Sequence, residues 1–268
     1  MDARNEGEHV NARRRSQGDV IVPHWRARPN VRGIMTTRRG GVSTGPYASM
    51  NLAFAGDVRE AVIENRRRLA TSLPAPPVWL AQVHGTRAIV VDADTLVSFR
   101  DAPPTADAAV TRIAGTPLAV LVADCLPVFL ADRGGTIVGV AHAGWRGLAA
   151  GVLESTLAAM HVPPSEIAAW LGPAIGPGAF EVGRDVLDAF TAGDADAAIH
   201  FAPCAPGKWL ADLAALARRR LERAGVREIV VEGSCTVSEP ERFYSYRRDR
   251  VTGRMAAILW LERTPAHK

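Results

Sequence analysis

Residues 118–127 read LAVLVADCLP, and residues 137–147 read IVGVAHAGWRG. In each, an apolar run of strand length ends at a residue able to bind a metal or act as a nucleophile or base. The first ends at Cys125, after Asp124, and the second at His142. A third run, VWLAQVHG at 78–85, ends the same way at His84. Runs without polar alternation are expected of strands buried on both faces. A Gly or Pro follows each of the three within a few places, which predicts that the chain turns just after each residue. Strand ends face clefts while a rigid scaffold holds them, and sites form there.

Two imidazoles and a thiolate suit zinc, and three protein ligands leave a fourth position open, the pattern of a catalytic ion. Such an ion lowers the pKa of a bound water toward about 7. The three residues lie far apart in the chain, so spacing alone leaves three readings open. They are a metal centre, a Cys125–His pair in which the imidazole acts as base, and buried structural residues. A blue-copper centre uses the same ligand set with an axial Met, yet none of the five methionines adjoins these runs. A multicopper cluster needs many more His ligands than the seven present, two of which, His9 and His267, lie near the ends.

Working outward, further apolar runs at 88–91, 168–171, 229–231 and 255–261 alternate with helical patterns at 58–73, 148–160, 184–192 and 210–224. This predicts a mixed α/β fold: one layered catalytic domain over 20–268, with packed central β-sheets and outer helices. Residues 1–19 are polar and are expected to form a disordered tail. Hydrophobic residues make up 47% of the 268, enough for a large core, and no stretch nears the roughly 18 apolar residues of a membrane span. The net charge is +4, but the Arg blocks at 13–15, 66–68 and 218–220 are short and separate. That favours solvated faces and an anionic small-molecule substrate over nucleic acid. Three widely spaced cysteines without a CxxC, and an N-terminus without an apolar signal segment, point to a reducing cytoplasm. The oligomeric state is not legible.

Other residues offer substrate contacts. Val58, Val62, Leu69 and Leu73 form a helical stripe that contains Arg66. An inward charge must be paired or meet a ligand, and a guanidinium suits phosphate. Arg38 and Ser43 lie in TTRRGGVS at 36–43, whose backbone amides could hold an anion, an ordinary turn being the alternative. Asn51 is read as a turn or cap residue. Trp145 is expected to pack its turn, Arg247, Arg248 and Arg254 to pair with Asp249 or Glu241, a substrate role being the alternative, and Cys204 to lie in a loop.

The segments TTRRGGVSTGPYASMNLAFAGD, ENRRRL, QVHG, ADCLPV, HAGWRG, LGPAIGPGAFEVG and SCTVSEPERFYSYRRDRVTGRM together resemble one bacterial family. Its older label is multicopper polyphenol oxidase, or laccase-like. It is also called peptidoglycan editing factor, and newer descriptions make it a purine nucleoside phosphorylase with adenosine deaminase activity. The resemblance spans about residues 33–255, and ADCLPV together with HAGWRG is its most specific pair. It implies zinc, with copper as the alternative, on His84, Cys125 and His142 as ligands and catalytic residues. It implies substrate contacts at Asn51, Arg66, Arg38 and Ser43. The expected substrates are a purine nucleoside and phosphate, with no nucleic-acid or membrane partner. For phosphorolysis, Arg66 and Arg38 would hold phosphate as it attacks C1′ of the ribose. For adenosine deamination at C6, Asp124 is the acid adjacent in sequence, although the H-x-E and P-C-x-x-C signature of zinc nucleobase deaminases is absent. The alternatives are a Cys–His hydrolase acting on peptidoglycan precursors, a copper-dependent polyphenol oxidase and a non-enzymatic partner protein.

Overall fold

The computed structural model describes residues 20–99 and 102–263, so the expected tail at 1–19 lies outside the described residues. In chain order the strands are β1 (Val20–Ile21), β2 (Val31–Thr36), β3 (Val78–Trp79), β4 (Ala88–Val91), β5 (Ala108–Thr111), β6 (Leu118–Val122), β7 (Leu126–Asp132), β8 (Val138–Ala143), β9 (Ile167–Leu171), β10 (Glu181–Val182), β11 (Phe201–Ala205), β12 (Lys208–Ala211), β13 (Glu228–Val231) and β14 (Met255–Leu261). The α-helices are α1 (Arg59–Ala70), α2 (Ala93–Ser98), α3 (Trp145–Ala150), α4 (Val152–Met160), α5 (Arg184–Thr191), α6 (Leu213–Arg223) and α7 (Tyr246–Asp249).

Two mixed sheets form the centre, a five-stranded one in the order β1-β2-β14-β6-β3 and a six-stranded one in the order β13-β9-β7-β8-β5-β4. A small sheet, β10-β12-β11, lies apart from them. Side chains alternate across each strand. Leu118, Val120 and Val122 of β6, with Met255, Ala257 and Leu259 of β14, fill the layer between the two large sheets. There they meet Phe129, Val138, Val140 and Trp170 of the six-stranded sheet. The intervening Ala119, Ala256 and Ile258 face α1 through Leu69. On the far side, Ala108, Val110, Val128 and Leu130 pack on Leu153 and Leu157 of α4 and Leu216 of α6. Both large sheets are therefore covered on both faces. That is why their strands read as unbroken apolar runs, and the mixed α/β class with packed sheets and outer helices holds.

Several local expectations change. The pattern at 148–160 is two helices, α3 and α4, parted at Gly151, whose φ of 107° is open to glycine. Pro127 does not end its run; it is the second residue of β7, opposite His142, and its carbonyl accepts the N–H of Gly172. Proline is tolerated so near the start of a strand. The run at 78–83 pairs as a strand only over Val78–Trp79, while β8 continues past His142 to Ala143. Val58 caps α1 and is exposed, so the buried face of that helix is Val62, Asn65 and Leu69. Cys204 lies in β11 rather than in a loop. Among the described residues no helix is long and apolar enough to cross a membrane.

Candidate functional site

Residues 123–125 carry the chain from the five-stranded sheet to the six-stranded one, between β6 and β7, and Cys125 is the last of them. His142 lies near the end of β8, the strand paired with β7. His84 occupies the turn that follows β3. Their ligand atoms all lie within 4.8 Å of one another, and Cys125 Sγ stands 3.7 Å from His84 Nε2. The two imidazoles meet edge to face at 74°, with centroids 4.8 Å apart.

A fourth residue, which the sequence reading passed over, enforces this convergence. Asp107 stands just before β5 and is fully buried. Its carboxylate accepts the backbone N–H groups of Val83 at 3.1 Å, His84 at 2.9 Å and Gly85 at 2.7 Å. It also pairs with Nδ1 of His142 at 2.8 Å. His84 has a φ of 59°, in the left-handed region that a residue with a Cβ seldom visits. Three successive N–H groups closing on one anion form a nest that stabilises such a turn. Giving Nδ1–H to Asp107 leaves the lone pair of His142 on Nε2. The available signal was a lone carboxylate inside the apolar stretch 106–110, ADAAV.

The glycines after His142 have a steric cause. A Cβ on Gly144 would stand 2.8 Å from His84 Cδ2 and 3.0 Å from Cys125 Sγ. One on Gly147 would stand 2.6 Å from the carbonyl oxygen of Gly85. The start of α3 thus packs directly on the cluster. Asp124, with a φ of 85°, has both carboxylate oxygens engaged. It accepts Thr236 Oγ1 and the N–H of Arg247, each at 2.6 Å, and so ties the Cys125 passage to the segment around α7.

Burial pushes the Cys125 thiol up, but the adjacent His142 and His84 outweigh it and lower the thiol to about 6. Burial pushes His142 down, yet Cys125 and Asp107 raise it to about 9. Cys125 and His142 thus hold each other's shifts, the thiol down and the imidazole up. The donor set also fits a metal. Tetrahedral zinc bonds of about 2.3 Å to sulfur and 2.0–2.1 Å to nitrogen put sulfur and nitrogen about 3.6 Å apart, close to the 3.7 Å between Cys125 and His84. His84, Cys125 and His142 could hold a metal ion.

Beside Cys125 opens a pocket of about 190 Å³. Trp145, Phe180 and Tyr246 give it aromatic walls, and Arg247 and Arg250 bring positive charge. Arg247 donates to the carbonyl of Glu181 at 2.9 Å and lies over Phe180, while Arg250 lies over Tyr246. The one carboxylate lining the pocket belongs to Asp124. The sequence pointed to turn packing for Trp145 and to an ion pair for Arg247, a substrate role being the alternative, and gave no sign of Arg250 or Tyr246. Of the three cations expected to pair there, Arg248 does so, with Asp249.

The four expected substrate contacts lie elsewhere. Asn51 is fully buried; its amide donates to Ala53 O and Asp57, and its oxygen accepts the N–H groups of Ala53 and Arg254. Ser43 donates to Asp57 and accepts from Asn65. Arg38 donates to the carbonyls of Ala48 and Pro240. Arg66 has no acidic partner among the described residues. It donates twice to Leu52 O and is sandwiched by Phe54 and Trp79 at 4.4 Å and 4.1 Å, and burial lowers its pKa to about 10.

Over residues 32–262 the chain matches the family described as multi-copper polyphenol oxidoreductase laccase. It is 49% identical over 251 residues to a protein of Xylella fastidiosa named purine nucleoside phosphorylase, covering 90% of this chain and 96% of the relative. It is 50% identical over 245 residues to Escherichia coli purine nucleoside phosphorylase YfiH, covering 90% and 98%. Among solved structures, Neisseria meningitidis protein NMB0706 superposes with a TM-score of 0.88 at 47% identity, covering 91% of this chain and 100% of that one. YlmD from Geobacillus stearothermophilus gives a TM-score of 0.81 at 36% identity, covering 88% and 93%.

Proposed function

The chain belongs to the multi-copper polyphenol oxidoreductase laccase family, and from that premise we propose that it is a zinc-dependent purine nucleoside enzyme. In this reading it cleaves adenosine- and inosine-type nucleosides with phosphate and also deaminates adenosine. The observation that carries the proposal is the juxtaposition of the His84–Cys125–His142 cluster with a pocket that is aromatic and cationic. The names of the relatives from Xylella fastidiosa and Escherichia coli support the phosphorylase half.

In phosphorolysis a phosphate oxygen bonds to C1′ of the ribose. The C1′–N9 bond breaks with its electron pair going to the purine, which then takes up a proton. The flat base suits the faces of Trp145 and Tyr246. Arg247 and Arg250 hold the phosphate and offset its charge, in place of the Arg38 and Arg66 expected from sequence. Ser43, Asn51 and Arg38 instead shape the loop at 38–57, and Arg66 anchors it to α1 through Leu52 O. His84, Cys125 and His142 hold the zinc, and Asp107 fixes the ring of His142. When bound, the metal supplies Lewis-acid stabilisation of negative charge and a source of activated water at neutral pH. For deamination Asp124 is not assigned the proton relay, because Thr236 and Arg247 occupy its oxygens.

The partners in this reading are small molecules alone. Arg67 and Arg68 share Glu64, and Arg218 pairs with Glu222, Arg219 with Asp194 and Arg220 with Glu154. Three free cysteines fit a reducing cytoplasm.

The test is metal analysis of protein purified without added metal, alongside adenosine turnover with and without phosphate. We expect about one zinc per chain, phosphate-dependent adenine release, and loss of both in Cys125→Ala. Copper in place of zinc, with phenol oxidation, would favour the oxidase. Metal-free protein with a readily alkylated Cys125 and no nucleoside turnover would favour the Cys–His hydrolase.

A further inference from the structure

We propose that Asp107 is a positioning residue that presets both histidine ligands of the metal centre with one carboxylate. The inference rests on reading His84, Cys125 and His142 as ligands. Asp107 Oδ1 takes the N–H of His84 at 2.9 Å and pairs with Nδ1 of His142 at 2.8 Å. Oδ2 takes the N–H groups of Val83 at 3.1 Å and Gly85 at 2.7 Å. One anion thus fixes the ring of one ligand and the backbone of the other. Its own backbone is held as firmly. The N–H of Asp107 donates to Arg87 O at 3.0 Å, and its carbonyl accepts the N–H of His142 at 2.7 Å. From there the chain enters β5, which lies between β4 and β8 in the six-stranded sheet. His84, by contrast, sits outside any strand in a left-handed conformation, and the polar partner of its backbone N–H is this carboxylate. The geometry makes a site that is formed before its ion arrives, with Nε2 of His142 left as the donor.

An Asn at this position separates the two duties. With its oxygen toward His84 and His142, its NH2 faces the N–H groups of Val83 and Gly85, donor against donor, and the His84 turn loosens. With its NH2 toward His142, Nδ1 must accept, the proton moves to Nε2, and the ring loses its metal-binding lone pair. Either orientation weakens the site without changing side-chain size.

The experiment measures zinc affinity by chelator competition for wild type, Asp107→Asn and a core variant, Leu130→Ala, with zinc ions as the only ligand. We expect Asp107→Asn to bind zinc about ten- to a hundredfold more weakly and to show an altered cobalt–thiolate absorption spectrum. Leu130→Ala should lose stability while keeping wild-type zinc affinity. Equal affinity in Asp107→Asn and wild type overturns the inference alone, whereas a wild type that binds no metal overturns the ligand reading and the inference with it. Should Asp107→Asn fail to fold, the zinc-loaded wild type still decides. Nitrogen NMR of His142 with Nδ1 protonated and Nε2 on the metal supports the inference, and coordination through Nδ1 overturns it.

Discussion

Two polar clusters among the described residues differ in their access to solvent: Ser43, Asn51 and Asn65 are buried, whereas His84 is exposed and Cys125 half-buried. In the Ser43–Asn51–Asp57–Asn65 cluster every polar side-chain atom finds a protein partner. Asn65 alone accepts the N–H of Val42 and donates to Ser43, Ser49 O and Asn51 O. In the other cluster Asp107 is equally satisfied, and the Cys125 thiol and two imidazoles converge within 4.8 Å of one another beside a pocket. Both regions drew notice in the sequence as places for a ligand. The difference teaches that polar side chains converging at an opening to solvent leave room for a ligand, whereas those buried and bonded to one another hold the loop they sit in.

The largest expected effect on this contrast comes from Cys125→Ala. Zinc binding and phosphorolysis should fall to background in metal analysis and turnover assays, while the metal-free chain keeps its far-UV circular dichroism. A comparable catalytic loss in Ser43→Ala would erase the distinction between the clusters. Next comes Asn65→Ala, which strands several buried partners and should cost about 3 kcal/mol in urea unfolding, with zinc stoichiometry unchanged.

A smaller effect divides the arginines. Arg250→Ala should raise KM for phosphate about tenfold, the effect of losing one charge-assisted contact. Arg38→Ala, whose guanidinium already serves two carbonyls, should change it less than about threefold. Steady-state kinetics with varied phosphate would show this, and the reverse order would return the anion site to the loop at 38–57.

The smallest effect is a pH profile. In metal-free protein the Cys125 thiol is lowered to about 6, so its alkylation should rise through that pH rather than near the ordinary thiol range. At pH 7 a thiolate fraction of roughly 90% replaces about 1%, but the less basic sulfur is also the poorer nucleophile, leaving a gain of a few-fold. Zinc should abolish it. A profile rising only near pH 9 would show that His142 and His84 do not stabilise the thiolate.

Much of the scaffold was legible. The bounds of β4 and β14 matched, and β6, β9 and α6 came within a few residues, because burial on both faces writes an apolar run into the sequence. The strand β7 was passed over because Pro127 looked like a breaker, although its missing N–H is harmless so near a strand start. β5, as short as β4, was missed. Residues 58–73 were read as facing inward through Arg66, whereas Asn65 is the buried polar residue and Arg66 lies to one side, between two aromatic rings.

From the residues alone it was legible that His84, Cys125 and His142 each close an apolar run. Only the tertiary structure decided that the three meet. It also decided that Asp107 locks two of them, that Asp124 is spent on Thr236 and Arg247, and that Arg247 and Arg250, not Arg38, face the pocket. The physical reason is range. Burial of a strand is a local property that neighbouring residues record, whereas the pairing of His142 with Asp107 or Asp124 with Thr236 depends on strand register and sheet packing across 35 and 112 residues, which no local pattern encodes.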